Sequence, residues 1–203
     1  MLTSLADLVE RCRGELGDLE NCVTPLWHPL GFVSCEIYRF PSGGVARVHF
    51  WPRGLRRTKN PDWPIHTHSY ALQSRVLAGQ VRDIQYRAEP SGNGRIYTVE
   101  YSEGGSRVVK SDRTVQLAKT VDEIRVAGSE YSVPQGTFHQ TRVHEEETAL
   151  TIVLLSNHTS DPPEVVGTDE QNAYPYDRIP FDKDAFWEAV RSGMRCSPTS
   201  DSK

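Results

Sequence analysis

No apolar run in the sequence approaches the roughly 20 residues that cross a bilayer as a helix, so no helical membrane span is expected. Cysteine is sparse. Cys12, Cys22, Cys35 and Cys196 include no C-x-x-C pair, which fits reduced thiols better than a disulfide framework. An excess of positive charge is also missing: the net charge is -4 and the pI near 6.0, which leaves no electrostatic footprint for nucleic acid. Internal repeats and extended low-complexity segments are absent too. Asp7 and Glu10 stand where a signal peptide would be apolar, and the expected compartment is the cytosol.

The 203 residues suffice for one domain with a real core and would be cramped for two. Residues 1–31 read as a helical arm, with Leu5, Leu8, Val9, Cys12, Leu16 and Leu19 near helical spacing and a break expected around Gly14 and Gly17. This helix is expected to pack on the outside of the next unit or on a partner subunit, which leaves a homodimer open. Residues 32–156 change to strand grammar. A hairpin over Phe32 to Trp51 turns at Pro41 to Gly44. Further strands run over Leu72 to Leu77, Val81 to Arg87, Arg95 to Tyr101, Arg107 to Leu117 and Ala149 to Leu155, with turns at Pro90 to Gly94 and Glu103 to Gly105. Short strands at this spacing with glycine-rich turns indicate an all-β sandwich or barrel. Residues 157–203 read as an extended arm, a helix over Lys183 to Met194 capped by Asp182, and a frayed tail.

Two segments carry the chemistry. In Trp63-Pro-Ile-His66-Thr-His68, the two histidines are two apart, so on an extended chain both point to one face and can grip one cation. In Gly128 to His139, a Pro134-x-Gly136 turn precedes a third histidine. Neutral imidazole suits Zn, Fe, Cu and Ni. On the strand after His68, Gln73 and Arg75 share one face while Leu72, Ser74 and Val76 share the other. In the hairpin, Val45, Arg47, His49 and Trp51 share one face; Arg47 and His49 line a barrel only if Ala46, Val48 and Phe50 lie under a covering element. The basic run Arg53-Gly-Leu-Arg56-Arg57-Thr-Lys59 reads as a solvated loop, or as a loop that presents its arginines to an acidic substrate.

At these residues the sequence resembles the cupin superfamily, whose motifs are a His-x-His segment ending in Gly and a Gly-x5-Pro-x-Gly-x2-His segment. The second motif matches through His139, with Val143 where Asn is usual; in the first, Asn60 stands where Gly is usual. The metal-binding Glu of the first motif is missing. Counting forward from His68 puts Gln73 in its place, and counting back from Gly79 puts Leu72 there. The resemblance implies a double-stranded β-helix (jelly-roll) barrel with flanking N- and C-terminal helices, and His66, His68 and His139 as metal ligands. Thiol and diketone-cleaving dioxygenases bind Fe(II) through three histidines without the Glu, and this chain is similar in that respect.

The resemblance therefore implies an Fe(II) dioxygenase acting on O2 and a small, anionic or chelating substrate. Tyr70, Arg75 and Gln73 are candidates for catalysis, and Arg47, His49 and Tyr38 for binding substrate. Two alternatives stay open: a Zn, Ni or Mn cupin acting as a Lewis acid in isomerase or lyase chemistry, and a barrel that binds a small ligand without catalysis. His28, His144 and His158 are expected to be structural or solvent-exposed.

Overall fold

The computed structural model describes residues 4–54, 56–103, 105–168 and 171–196. The frayed tail expected after Cys196 lies outside them. Helix α1 (Leu5–Gly14) starts where the Ser4 side chain accepts a hydrogen bond from the Asp7 amide, and α2 (Leu16–Cys22) follows after a break at Glu15. Helix α3 (Lys183–Cys196) is capped by Asp182, whose carboxylate accepts from the Ala185 amide at 2.8 Å.

Strands β1 (Leu26–Trp27), β2 (Val33–Arg39), β3 (Val45–Trp51), β4 (Ala71–Ala78), β7 (Glu130–Val133) and β9 (Ala149–Ser156) form one sheet, in the order β1-β2-β3-β9-β4-β7. A second sheet, in the order β10-β5-β6-β11, holds β5 (Gln80–Ser102), β6 (Gly105–Val126), β10 (Glu164–Gly167) and β11 (Ala173–Asp177), with β8 (Phe138–Arg142) also paired to β5. All the pairings among the described strands are antiparallel, and the fold is all-β, two antiparallel sheets with flanking helices.

The register of the first sheet decides which side chains look inward. Val48 lies opposite Ile152 and Arg47 opposite Val153, so Ala46, Val48, Phe50, Leu150 and Ile152 share the outer face. That face is covered. It packs against Leu8, Val9 and Cys12 of α1 and Phe186, Trp187 and Val190 of α3. Each large apolar side chain buried there contributes about 1.5–3 kcal/mol of burial free energy. The covering helices thus meet the condition set by the sequence, and Arg47 and His49 fall on the inner face beside Val76, Thr151 and Val153. Strand β9 is apolar on both faces because both are buried.

Two segments depart from the sequence reading. Pro90 to Gly94 is no hairpin turn: β5 runs through it, and both Pro90 and Gly94 pair with Val115, so the intervening residues form a bulge. A Cβ on Gly92 would lie 2.3 Å from the Gln116 amide nitrogen, which explains why a turn-like residue is needed at a place that is not a turn. Residues 157–181, expected as a loose arm, contribute β10 and β11, which pair with β5 and β6. Strands of 4 and 5 residues, the second interrupted by Pro175, carry too little alternation to be seen in sequence.

Candidate metal centre

His66 precedes β4 in an isolated bridge. Its amide donates to the His139 carbonyl at 3.0 Å and the His139 amide donates back to His66 at 2.9 Å. Such a reciprocal pair sets two residues directly opposite each other with side chains on one side. Thr67 turns the other way, is 5% exposed, and its hydroxyl accepts from the Glu164 amide at 2.9 Å. Alternation therefore returns His68 to the side of His66. The second motif supplies the rest: Gly136, at φ +71°, occupies the third position of a turn closed by the Thr137 amide on the Pro134 carbonyl. The Gly136 amide also donates to the His68 carbonyl at 3.1 Å, which ties the two motifs together.

Ligand nitrogens of His66, His68 and His139 lie within 4.8 Å of one another. The His66 Nδ1 is 2.9 Å from the Pro64 carbonyl, which can only accept, so the proton sits on Nδ1 and Nε2 presents its lone pair. That Nε2 lies 3.0 Å from the Nε2 of His68. Two nitrogens each about 2.1 Å from a shared ion and about 90° apart would be separated by about 3.0 Å, so the spacing fits a shared cation. His139 is 3% exposed with neither ring nitrogen hydrogen-bonded, and Nδ1 of His68 is buried without a partner as well. Buried nitrogens are ordinarily satisfied, and an ion satisfies an imidazole lone pair. Burial holds His66 down at about 4 and keeps His68 and His139 well below the ordinary imidazole value. All three are therefore neutral at pH 7, the form that ligates.

The group opens onto a cavity of about 90 Å³. His28, His66, His68, Tyr70, Arg47, Lys59, Arg107 and Arg178 contribute to its wall, no Asp or Glu is among its described lining, and Val99, Val108 and Val165 supply an apolar side. Tyr70 stacks on His68 with ring centroids 4.6 Å apart and an interplanar angle of 14°. His28, Phe32 and His49 form a row, with centroids 4.3 Å and then 4.7 Å apart. The Leu30 amide donates to Nδ1 of His28, leaving Nε2 as that ring's donor. Arg47 is held by Glu36 at 3.5 Å.

Three sequence candidates lie elsewhere. Gln73 is exposed on the outer face of β4, so neither its amide nor a carboxylate substitute enters the site; Leu72 points inward and packs with Val133, Val153 and Leu155. Arg75 shares the outer face with Gln73 and pairs with Glu130 at 2.8 Å, across the register of β4 and β7. Tyr38 lies opposite Ala46 on the helix-covered side, with the Arg11 guanidinium 4.2 Å over its ring. The basic run is solvated in part: Arg53 and Arg57 are exposed, Arg53 pairing with Glu146, while Arg56 donates to the carbonyls of Val143, His144 and Glu147 and Lys59 enters the cavity. Sequence reading passed over Lys59, Arg178, Tyr174 and Tyr176. Lys59 was hidden in a charge run and the other three in an apparently irregular arm.

No family model matches the chain, and no curated protein matches it by sequence. Among solved structures it is similar to an oxalate decarboxylase variant from Bacillus subtilis (14% identity, TM-score 0.39, covering 66% of this chain and 28% of that one). It is also similar to an RmlC-like cupin from Shewanella frigidimarina (14%, 0.38, 68% and 86%) and to hydroxypropylphosphonic acid epoxidase from S. wedmorenis (15%, 0.40, 68% and 56%). The chain thus spans well under two thirds of the decarboxylase and of the epoxidase. The strand order and the paired motifs, rather than these distant likenesses, place a three-histidine group of metal-binding geometry between the two sheets of an all-β fold.

Proposed function

We propose that the protein is a metal-dependent enzyme acting on a small anionic or chelating molecule, and that its reaction is that of a non-haem Fe(II) dioxygenase. The observation that carries this reading is the convergence of three neutral imidazoles, one of them 3% exposed with both nitrogens unpartnered, on a cationic cavity whose described lining holds no carboxylate. A bound Fe(II) would supply Lewis acidity and a redox centre for O2, and three neutral ligands would leave its +2 charge undiminished.

The residues of the chain do the rest. Arg47, Lys59 and Arg178 favour an anion in the cavity, and the apolar side formed by Val99, Val108 and Val165 limits water. Tyr70, whose hydroxyl is pushed up to about 12 by burial, stays protonated at neutral pH and can donate a hydrogen bond beside His68. His28, also in the cavity wall, carries its proton on Nε2. Zn, Ni or Mn would suit the same imidazoles as a Lewis acid, with isomerase or lyase chemistry.

Metal analysis of the purified protein, followed by O2 consumption with ferrous iron and a panel of thiols, diketones and carboxylates, tests the reading. Substrate-dependent O2 uptake that His139→Ala abolishes is expected. Metal bound without O2 uptake favours the Lewis-acid chemistry, and absence of bound metal removes both.

A further inference from the structure

A buried ammonium ordinarily sits beside a carboxylate, because the cost of dehydrating it is otherwise uncompensated. Lys59 breaks this pattern. It is 7% exposed, and among the described residues no carboxylate forms an ion pair with it, Asp62 acting on it only from a greater distance. Its backbone is fixed by the Lys59 amide donating a hydrogen bond to the Pro29 carbonyl at 2.8 Å and by a bridge between Thr58 and Leu30. Its Nζ lies 5.6 Å from the ring centroid of Trp63, a cation–π contact that offsets only part of the cost of dehydrating an ammonium.

Two neighbours in the same cavity wall have the complementary deficiency. Tyr174 is 8% exposed, packs edge-on against Trp63 at 4.8 Å, and its hydroxyl has no hydrogen-bond partner; the Tyr176 hydroxyl is likewise buried and unpartnered. Strand β11 carries both tyrosines, and its pairing with β6 aims alternate residues of the strand at one face. One cation without an ion pair and two hydroxyls without hydrogen-bond partners thus line a cavity that also holds His66 and His68. What satisfies all three at once is a compact anion that accepts several hydrogen bonds, and the small volume and the valine side limit it to a short chain.

We propose that Lys59, Tyr174 and Tyr176 form an anion subsite beside the three-histidine group, and that it takes the carboxylate of a small aliphatic acid whose other end reaches the histidines. The proposal rests on reading this cavity as the substrate site, but the subsite itself requires no metal. Its geometry gives the enzyme a substrate with two functional groups: an acid at one end and a metal-seeking group at the other.

The test uses metal-stripped full-length protein, so that no metal can hold the probe. Binding of propionate is followed by ligand-observed NMR, with propionamide as its uncharged counterpart and inorganic phosphate as the rival anion. Saturable propionate binding is expected, weakened tenfold or more in Lys59→Met and in Tyr174→Phe, with propionamide failing to compete and phosphate binding more weakly. Lys59→Gln serves if the methionine variant does not fold. A loss below tenfold in the folded lysine variant, competition by propionamide, tighter binding of phosphate, or no saturable binding overturns the proposal. Metal content is measured separately on untreated protein, so failure of the metal reading and failure of the subsite are told apart.

Discussion

Removing the cation from the three-histidine group should cost stability, and replacing His139 by phenylalanine should nearly abolish that dependence on metal. In the metal-free fold, Nδ1 and Nε2 of His139 and Nδ1 of His68 are buried and unpartnered, and each unsatisfied buried group costs about 1–3 kcal/mol. An ion at 100 times its Kd adds about 2.7 kcal/mol to the folded state by mass action. For a chain of this size each kcal/mol moves Tm by about 2–4 °C, so saturation should raise Tm by about 5–11 °C. A phenyl ring in place of the imidazole would fill the volume without the orphaned nitrogens, so the His139→Phe protein should melt at or above metal-free wild type and gain little from added metal. Differential scanning calorimetry of both proteins, stripped and then titrated with Zn(II) or anaerobic Fe(II), gives the four midpoints. Equal shifts in wild type and variant would show that the ion binds elsewhere, and a metal-free variant several degrees below wild type would show that His139 is held by contacts the geometry does not contain.

Further outcomes follow from the placement of other residues. Burial lowers His49 to about 3 against an ordinary 6.5, so its neutral form is favoured by folding. Its contribution is complete above pH 6.5 and is lost as pH falls from 6.5 towards 3, by up to about 1.4 kcal/mol per pH unit, and chemical denaturation of His49→Gln should show a shallower acid slope. Arg75→Ala should leave KM and metal content unchanged, because the side chain pairs with Glu130 on the outer face; the cost in stability should stay within about 1 kcal/mol, and a large rise in KM would refute the assigned register. Gly79→Ala should be disruptive: φ is +70° and the added Cβ would lie 2.1 Å from the Thr148 carbonyl oxygen, so beyond the roughly 1–2 kcal/mol of left-handed strain the β4 to β5 junction must shift, seen as a lower urea midpoint.

What the sequence disclosed and what it withheld follow one physical division. His66, His68 and His139 were legible because local geometry fixes them: alternation sets the first two, and a turn needing φ above zero at Gly136 aims the third. Helices α1 and α3 were legible for the same reason, since their apolar spacing is local, but the sheet face they cover is a long-range fact that the sequence left open. The Glu slot was undecidable by counting, because Gln73 and Leu72 differ by one residue and parity alone cannot say which face is inward. Pairing of Leu72 with Leu155 and Val133, a long-range fact, decides it.

The anion-binding side of the cavity was hidden for a related reason that also bears on how the site works. Lys59 comes from the loop before His66, and Tyr174 and Tyr176 from a five-residue strand far along the chain, brought in by the pairing of β11 with β6 and by the packing of Tyr174 on Trp63. The histidines hang on the pairing of His66 with His139, and the tyrosines on a different ladder of the second sheet. A barrel built this way can keep its three imidazoles fixed while β11 varies, since no hydrogen bond of the His66–His139 pair passes through that strand. Changes in β11 should therefore alter which acid is accepted without displacing the histidines: Tyr174→Phe should weaken the hold on the carboxylate and leave the metal-induced rise in Tm at its wild-type value. Loss of that rise would mean that the strand and the histidine group form a single unit, and that substrate choice and metal binding cannot be varied separately.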